Sequence, residues 1–149
     1  MHRRTLIAAL VFAAAPAAAW AQGPAAQRTP PPPITPENEL ERVFLAALTD
    51  EDMRPEFRRL LLTSPVALAM ANNTPDSPPL EMVFGDLRVG GIFTSVTRLN
   101  AVLGPASARR VMSGRQALTR LRGKHVVLNF MHTPMLTLDP PDVAQYLAQ

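Results

Sequence analysis

The sequence predicts an α+β fold: a single domain in which helices pack against a mixed sheet of about five strands. Three observations predict it. Leu40, Val43, Phe44, Ala47 and Leu48 recur at helical spacing. Beyond Ser64-Pro65 the pattern turns to short apolar runs bounded by Gly, Asn, Asp and Pro, which read as strands. After Asp139-Pro140-Pro141 a last run, with Val143, Tyr146 and Leu147 on one face, returns to helical spacing.

The elements follow in chain order. Met1-His2-Arg3-Arg4 is basic, Leu6 to Ala19 is apolar but too short to span a bilayer stably, and Ala19-Trp20-Ala21 is an Ala-x-Ala cleavage site. Residues 1–21 therefore read as an export signal cleaved near Ala21, giving a periplasmic or secreted mature chain. Arg3-Arg4-Thr5-Leu6-Ile7 also resembles a twin-arginine signal, while two arginines equally suit an ordinary secretory signal, so both routes stay open. No other stretch is long and apolar enough to cross a membrane, and no transmembrane anchor is expected in the mature chain. The chain has no cysteine, so neither a lipid anchor at a lipobox nor a disulfide is expected. Removing 21 of the 149 residues leaves 128, enough for one domain with a real core.

Residues 22–34, Pro/Ala-rich and closing with Pro30 to Pro33, read as a disordered tether. Residues 35–149 form the domain. Thr35 is the expected cap of the first helix, with Pro36 in its first turn and Glu37 and Glu39 at its positive end. Thr49-Asp50-Glu51-Asp52 leads into a second helix, with Pro55 early and Phe57, Leu60 and Leu61 inward. Strands are expected over Val66–Ala71, Leu80–Phe84 and Leu87–Phe93, the last two joined by a Gly85-Asp86 turn. Gly90-Gly91 suggests a bulge or a close backbone approach. Thr94 or Ser95 caps a short helix ended by Gly104-Pro105. Arg109–Met112 reads as a strand, Ser113 caps a helix ending near Gly123, and His125–Phe130 reads as a buried strand.

These signals, in this order, resemble a known family. Asn38-Glu39-Leu40-Glu41, Asp50 to Phe57 with its Arg-Pro-Glu-Phe, Leu60-Leu61, Phe93-Thr94-Ser95 before Arg98-Leu99, Ser113-Gly114-Arg115, Val126-Val127-Leu128-Asn129 and the final Leu138 to Leu147 helix together are similar to the N-terminal domain of the SseB (enhanced serine sensitivity) proteins. The resemblance covers roughly residues 37–147. It implies an α+β fold and no established chemistry. Phe130-Met131 stand where family members commonly carry Pro and Gly.

Catalytic signals are sparse. Cysteine nucleophiles are excluded, the mature chain holds only His125 and His132, and no serine sits in a Gly-x-Ser-x-Gly elbow. Val89-Gly90-Gly91-Ile92 lacks the glycine, lysine and cap of a phosphate loop. Asp50, Glu51, Asp52 and Glu56 are explained as capping and solvated turn residues. Met131-His132-x-x-Met135 offers the thioether and imidazole ligands that suit Cu(I), one run where a soft site wants three or more converging ligands. No cofactor is called for.

Charge is more informative. The formal net charge of +3 falls near +1 once Arg3 and Arg4 are removed. From Arg88 to Lys124 the chain carries eight cations and no acid, while residues 37–56 carry seven acids against Arg42 and Arg54. One reading is a basic face built on Arg109, Arg110, Arg115, Arg120 and Arg122 for an acidic protein or an anionic envelope component. The other is that the acidic first helices pack beside the basic half and neutralise it. Few aromatics argue against nucleic acid. The expectation is an exported, non-enzymatic interaction or binding module, with a soft-metal or small-ligand carrier using Met131, His132 and Met135 as the alternative.

Overall fold

In a computed structural model that describes residues 32–149, the first helix, α1 (Glu39–Thr49), starts one turn later than Thr35 suggested. The export signal and residues 22–31 of the tether lie outside the described residues. Asn38, not Thr35, is the N-cap: its backbone is extended and its side-chain oxygen accepts the Glu41 N–H at 2.9 Å. Asp50 ends α1 and caps a single 3-10 turn, Glu51–Met53, accepting the Asp52 N–H at 3.0 Å. That turn passes directly into α2 (Arg54–Thr63), with Pro55 in its first turn and Phe57, Leu61 and Leu62 buried. Leu60 is only partly buried.

The fold is α+β with a mixed sheet, as expected, but the sheet has six strands. They are β1 (Pro65–Ala69), β2 (Glu81–Phe84), β3 (Leu87–Phe93), β4 (Arg109–Ser113), β5 (His125–Leu128) and β6 (Leu136–Leu138). The order is β4-β1-β3-β5-β6, with β2 also paired to β3. Only β3 and β5 run parallel; the other pairs are antiparallel. The unexpected strand, β6, is three residues long and registers Leu138 on Val126 and Leu136 on Leu128. Its three residues, close behind Pro134, are too few to show a period of two.

The remaining helices are α3 (Val96–Leu103), α4 (Gly114–Arg120) and α5 (Pro140–Leu147). Ser95 caps α3, freeing Thr94 for another role, and Ser113 and Gln116 form a reciprocal capping box at α4. Alternation along β1 divides the interior. Val66, Leu68 and Met70 join the main core with Leu40, Phe44, Phe57, Leu61, Leu118, Val143 and Tyr146. Ala67 and Ala69 face the other way, against Phe93 and Leu99 of α3. Four helices thus cover one face and α3 the other.

The two strand glycines are close approaches, one of the two readings of Gly90-Gly91. A Cβ on Gly90 would lie 2.4 Å from Leu121 Cδ2, and one on Gly91 2.3 Å from Met82 Cε. Phe84 and Leu87 pair across the expected two-residue turn, where Gly85 has φ +61°. The β5 strand stops at Leu128, short of Phe130, because Asn129 is left-handed with φ 55°.

Candidate functional site

The register of β4 fixes which of its backbone groups are spoken for. Met70 N–H bonds Ala108 C=O at 3.0 Å, and Gly114 N–H bonds Ser64 C=O at 3.1 Å. In an antiparallel ladder such pairs recur at every second residue, so Arg110 and Met112 exchange bonds with β1. Arg109, Val111 and Ser113 turn their N–H and C=O groups outward, and no strand among the described residues pairs with that edge. Ser113 N–H is taken by Gln116 Oε1 at 3.1 Å. The outward groups of Arg109 and Val111 have no partner among the described residues and remain open to a further strand.

Beside this edge runs an open groove of about 400 Å³. Its floor is Pro65, Val66 and Ala67 of β1; Thr94, Ser95 and Val96 form one wall, Asn38, Glu39 and Leu40 the other. Val111 completes it from β4, on the same face as Ala67 opposite it, and is 60% exposed. The unpaired edge itself, with its row of free backbone groups, is what offers a contact surface here.

The arginines expected to form a basic face are distributed among different tasks. Arg109 and Arg110, as neighbours on a strand, point to opposite faces. Arg109 Nη1 donates to Asn100 Oδ1 at 2.6 Å and to Pro105 C=O at 3.1 Å, tying β4 to α3. Arg110 Nη2 donates to the carbonyls of Thr74 and Pro75. Arg115 holds the carbonyls of Leu147 and Gln149 at the end of the chain, at 3.3 and 2.8 Å. Arg120 and Arg122 are exposed at the end of α4, and their side chains make no hydrogen bond or ion pair among the described residues. Arg88 and Lys124 share Glu81, at 3.4 and 3.6 Å. The eight cations therefore do not gather on one face.

Three acids of the first helices pair locally: Glu39 with Arg42, Glu51 with Arg54 and Glu56 with Arg59. Neutralisation across the fold occurs at Arg98. Glu41, fully buried, accepts from Arg98 Nε at 2.9 Å, Arg98 Nη2 at 3.0 Å, Thr94 Oγ1 at 2.5 Å and Glu37 N–H at 2.7 Å. Burial pushes the Glu41 carboxyl up, but the hydrogen bonds from Arg98, Thr94 and Glu37 outweigh it and hold it below the usual glutamate range. Asn129 Oδ1 accepts Thr94 N–H at 3.0 Å, joining the ends of the parallel strands β3 and β5. The Glu41 carboxylate is fully bonded while Asn129 Nδ2 is buried without a partner among the described residues, and the cluster positions α1 and α3 beside the groove.

His132 Nε2 lies 2.8 Å from the Arg98 carbonyl, its ring edge-on to Phe93. Met131 is exposed, and Met135 packs on the Met82, Val89 and Val127 cluster. The three candidate soft ligands thus occupy different environments. Sequence reasoning missed the Glu41–Arg98 pair and Val111. The only local sign of the first was an acid on the buried stripe of α1, one residue after Leu40. Val111 stood in plain view between Arg110 and Met112 but carried no signal of its exposure. Comparison with protein-family models, characterised proteins and solved structures found no match to this chain.

Proposed function

We propose that the chain is an exported, non-enzymatic interaction module that takes an extended acidic segment of a protein partner along the edge of β4. The observation that carries this reading is the unpaired outer edge of β4 at Arg109 and Val111, with Val111 lining a 400 Å³ groove. Strand addition draws affinity from main-chain bonds and specificity from alternate side chains, and here one side chain of the added strand enters the groove. Arg109, on the same face of β4 as Val111 and bonded to the neutral Asn100 and Pro105, keeps its charge there and favours an acidic segment. The motif order that resembles the SseB proteins fits an α+β module and brings no established chemistry with it. The basic opening, apolar run and Ala-x-Ala site support export.

The test is a pull-down of the tagged mature chain, residues 22–149, from cell-envelope extract at low and high salt, in parallel with Val111→Pro. The Val111 N–H is outside the β1 ladder, so proline there leaves the sheet intact while blocking a further strand. A partner held at low salt, released at high salt and absent with Val111→Pro is the expected result. A partner retained by Val111→Pro refutes edge pairing. One lost only with Arg120→Glu/Arg122→Glu moves the contact to the end of α4.

A further inference from the structure

The β4 edge constrains the sequence of the segment it takes, an inference that rests on the edge pairing proposed above. Val111 and Arg109 stand two residues apart on one face of β4, opposite Ala67 and Ala69 of β1. Their surroundings differ. Val111 borders the groove, which is apolar at Leu40, Pro65, Ala67 and Val96. Arg109 bonds only the neutral Asn100 Oδ1 and Pro105 carbonyl and enters no ion pair among the described residues. One end of the edge therefore suits an apolar side chain and the other a carboxylate.

Antiparallel pairing uses all the outward groups of both residues. One residue of the added segment exchanges two bonds with Val111, and the residue two positions on does the same with Arg109. The first stands one strand spacing, about 4.8 Å, outside β4, so its side chain must cross Val111 to enter the groove. An aromatic ring reaches that far, and alanine or valine does not. The groove's 400 Å³ is roughly thirty water-sized positions, ample for a benzyl side chain. Two other occupants suit the edge poorly. In a two-fold pair of β4 strands centred on Arg110, the two Arg110 side chains stand directly opposite each other. Centred on Val111, the pair sets Arg109 against a Ser113 whose N–H already bonds Gln116 Oε1. Residues 22–33 of this chain contain no acid, and Pro30 to Pro33 have no N–H to donate.

We infer that the β4 edge selects, in a protein partner, an extended segment whose aromatic residue stands two positions before an acidic one. The segment pairs antiparallel, with its ring in the groove and its carboxylate at Arg109. The probe is the end-blocked peptide Thr-Thr-Phe-Thr-Glu-Thr-Thr, titrated calorimetrically into the full chain at low salt. Beside it run the peptide with phenylalanine and glutamate exchanged, one with alanine for phenylalanine, and one with glutamine for glutamate. The first binds with Kd on the order of 0.1 mM. Exchange or alanine weakens binding about ten-fold or more, and glutamine about three-fold. In Arg109→Gln the glutamate and glutamine peptides bind alike, and Val111→Pro binds none of the four. Equal binding of all four to the wild type, lost in a folded Val111→Pro chain, overturns the selectivity and leaves edge pairing standing. Binding that survives Val111→Pro overturns both. No binding of the first peptide overturns the inference, as does a wild-type chain that sediments as a dimer and becomes a monomer with Val111→Pro. Where Val111→Pro does not fold, methylating the phenylalanine N–H of the peptide, the donor to the Val111 carbonyl, supplies the same test.

Discussion

Arg98→Met isolates the largest electrostatic commitment in the fold. Glu41 is fully buried, and two of its four hydrogen bonds come from Arg98, whose side chain is 13% exposed. Methionine fills a similar volume, so packing is roughly kept while the carboxylate loses its countercharge. Breaking a buried pair by removing one partner costs about 3–5 kcal/mol, because the remaining charge is uncompensated. Thr94 Oγ1 and Glu37 N–H continue to donate, which places the expected loss near the lower end, about 3 kcal/mol. With a urea slope of about 1–3 kcal/mol per M, the unfolding midpoint falls by about 1–3 M. Adding Glu41→Leu to Arg98→Met removes the orphaned charge and restores part of the loss. Equilibrium urea unfolding of the three chains reads this directly. A cost for Arg98→Met below about 1 kcal/mol, or a double variant no more stable than the single, refutes the view that pairing, not packing, holds this cluster.

The same carboxyl sets an acid limit. Its pKa in the folded chain is lowered, so its contribution is fully present above the ordinary glutamate value of 4.5 and is lost as pH falls through the lowered folded value. Urea midpoints measured across that window should fall more steeply for the wild type than for Glu41→Gln, and parallel curves would remove Glu41 as the cause. Gly114→Ala places a Cβ 1.6 Å from the Leu61 carbonyl oxygen, where α4 crosses α2. Overpacking backbone against backbone should cost about 3 kcal/mol or more and lower Tm on the order of 10 °C; a calorimetric shift within about 2 °C would contradict the close crossing.

Much of this architecture was legible because it is local. The apolar stripe from Leu40 to Leu48, the Gly85-Asp86 turn and the Ser113 cap each state their geometry within a few residues. The first helix start was misplaced because Thr35 and Asn38 are both competent caps, and only the Glu41 N–H chooses between them. The site was legible in composition but not in placement. A run of cations says nothing of whether Arg109 will meet Asn100 or Arg110 the carbonyl of Thr74, since those partners are chosen by the register of β4 on β1. Val111 reads as one more buried strand valine until the topology leaves β4 at the edge.

The buried cluster also sets a timetable for folding. Glu41 waits for Thr94 and Arg98, 53 and 57 residues downstream, and Thr94 in turn waits for Asn129, 35 residues later. Contacts so distant along the chain must close large loops before they return any stability, which makes assembly slow. A chain that emerges amino-end first therefore carries α1 with an unmatched carboxylate on its inner face until Arg98 has followed. The cluster as a whole is completed only once residue 129 has joined it, near the end of the chain.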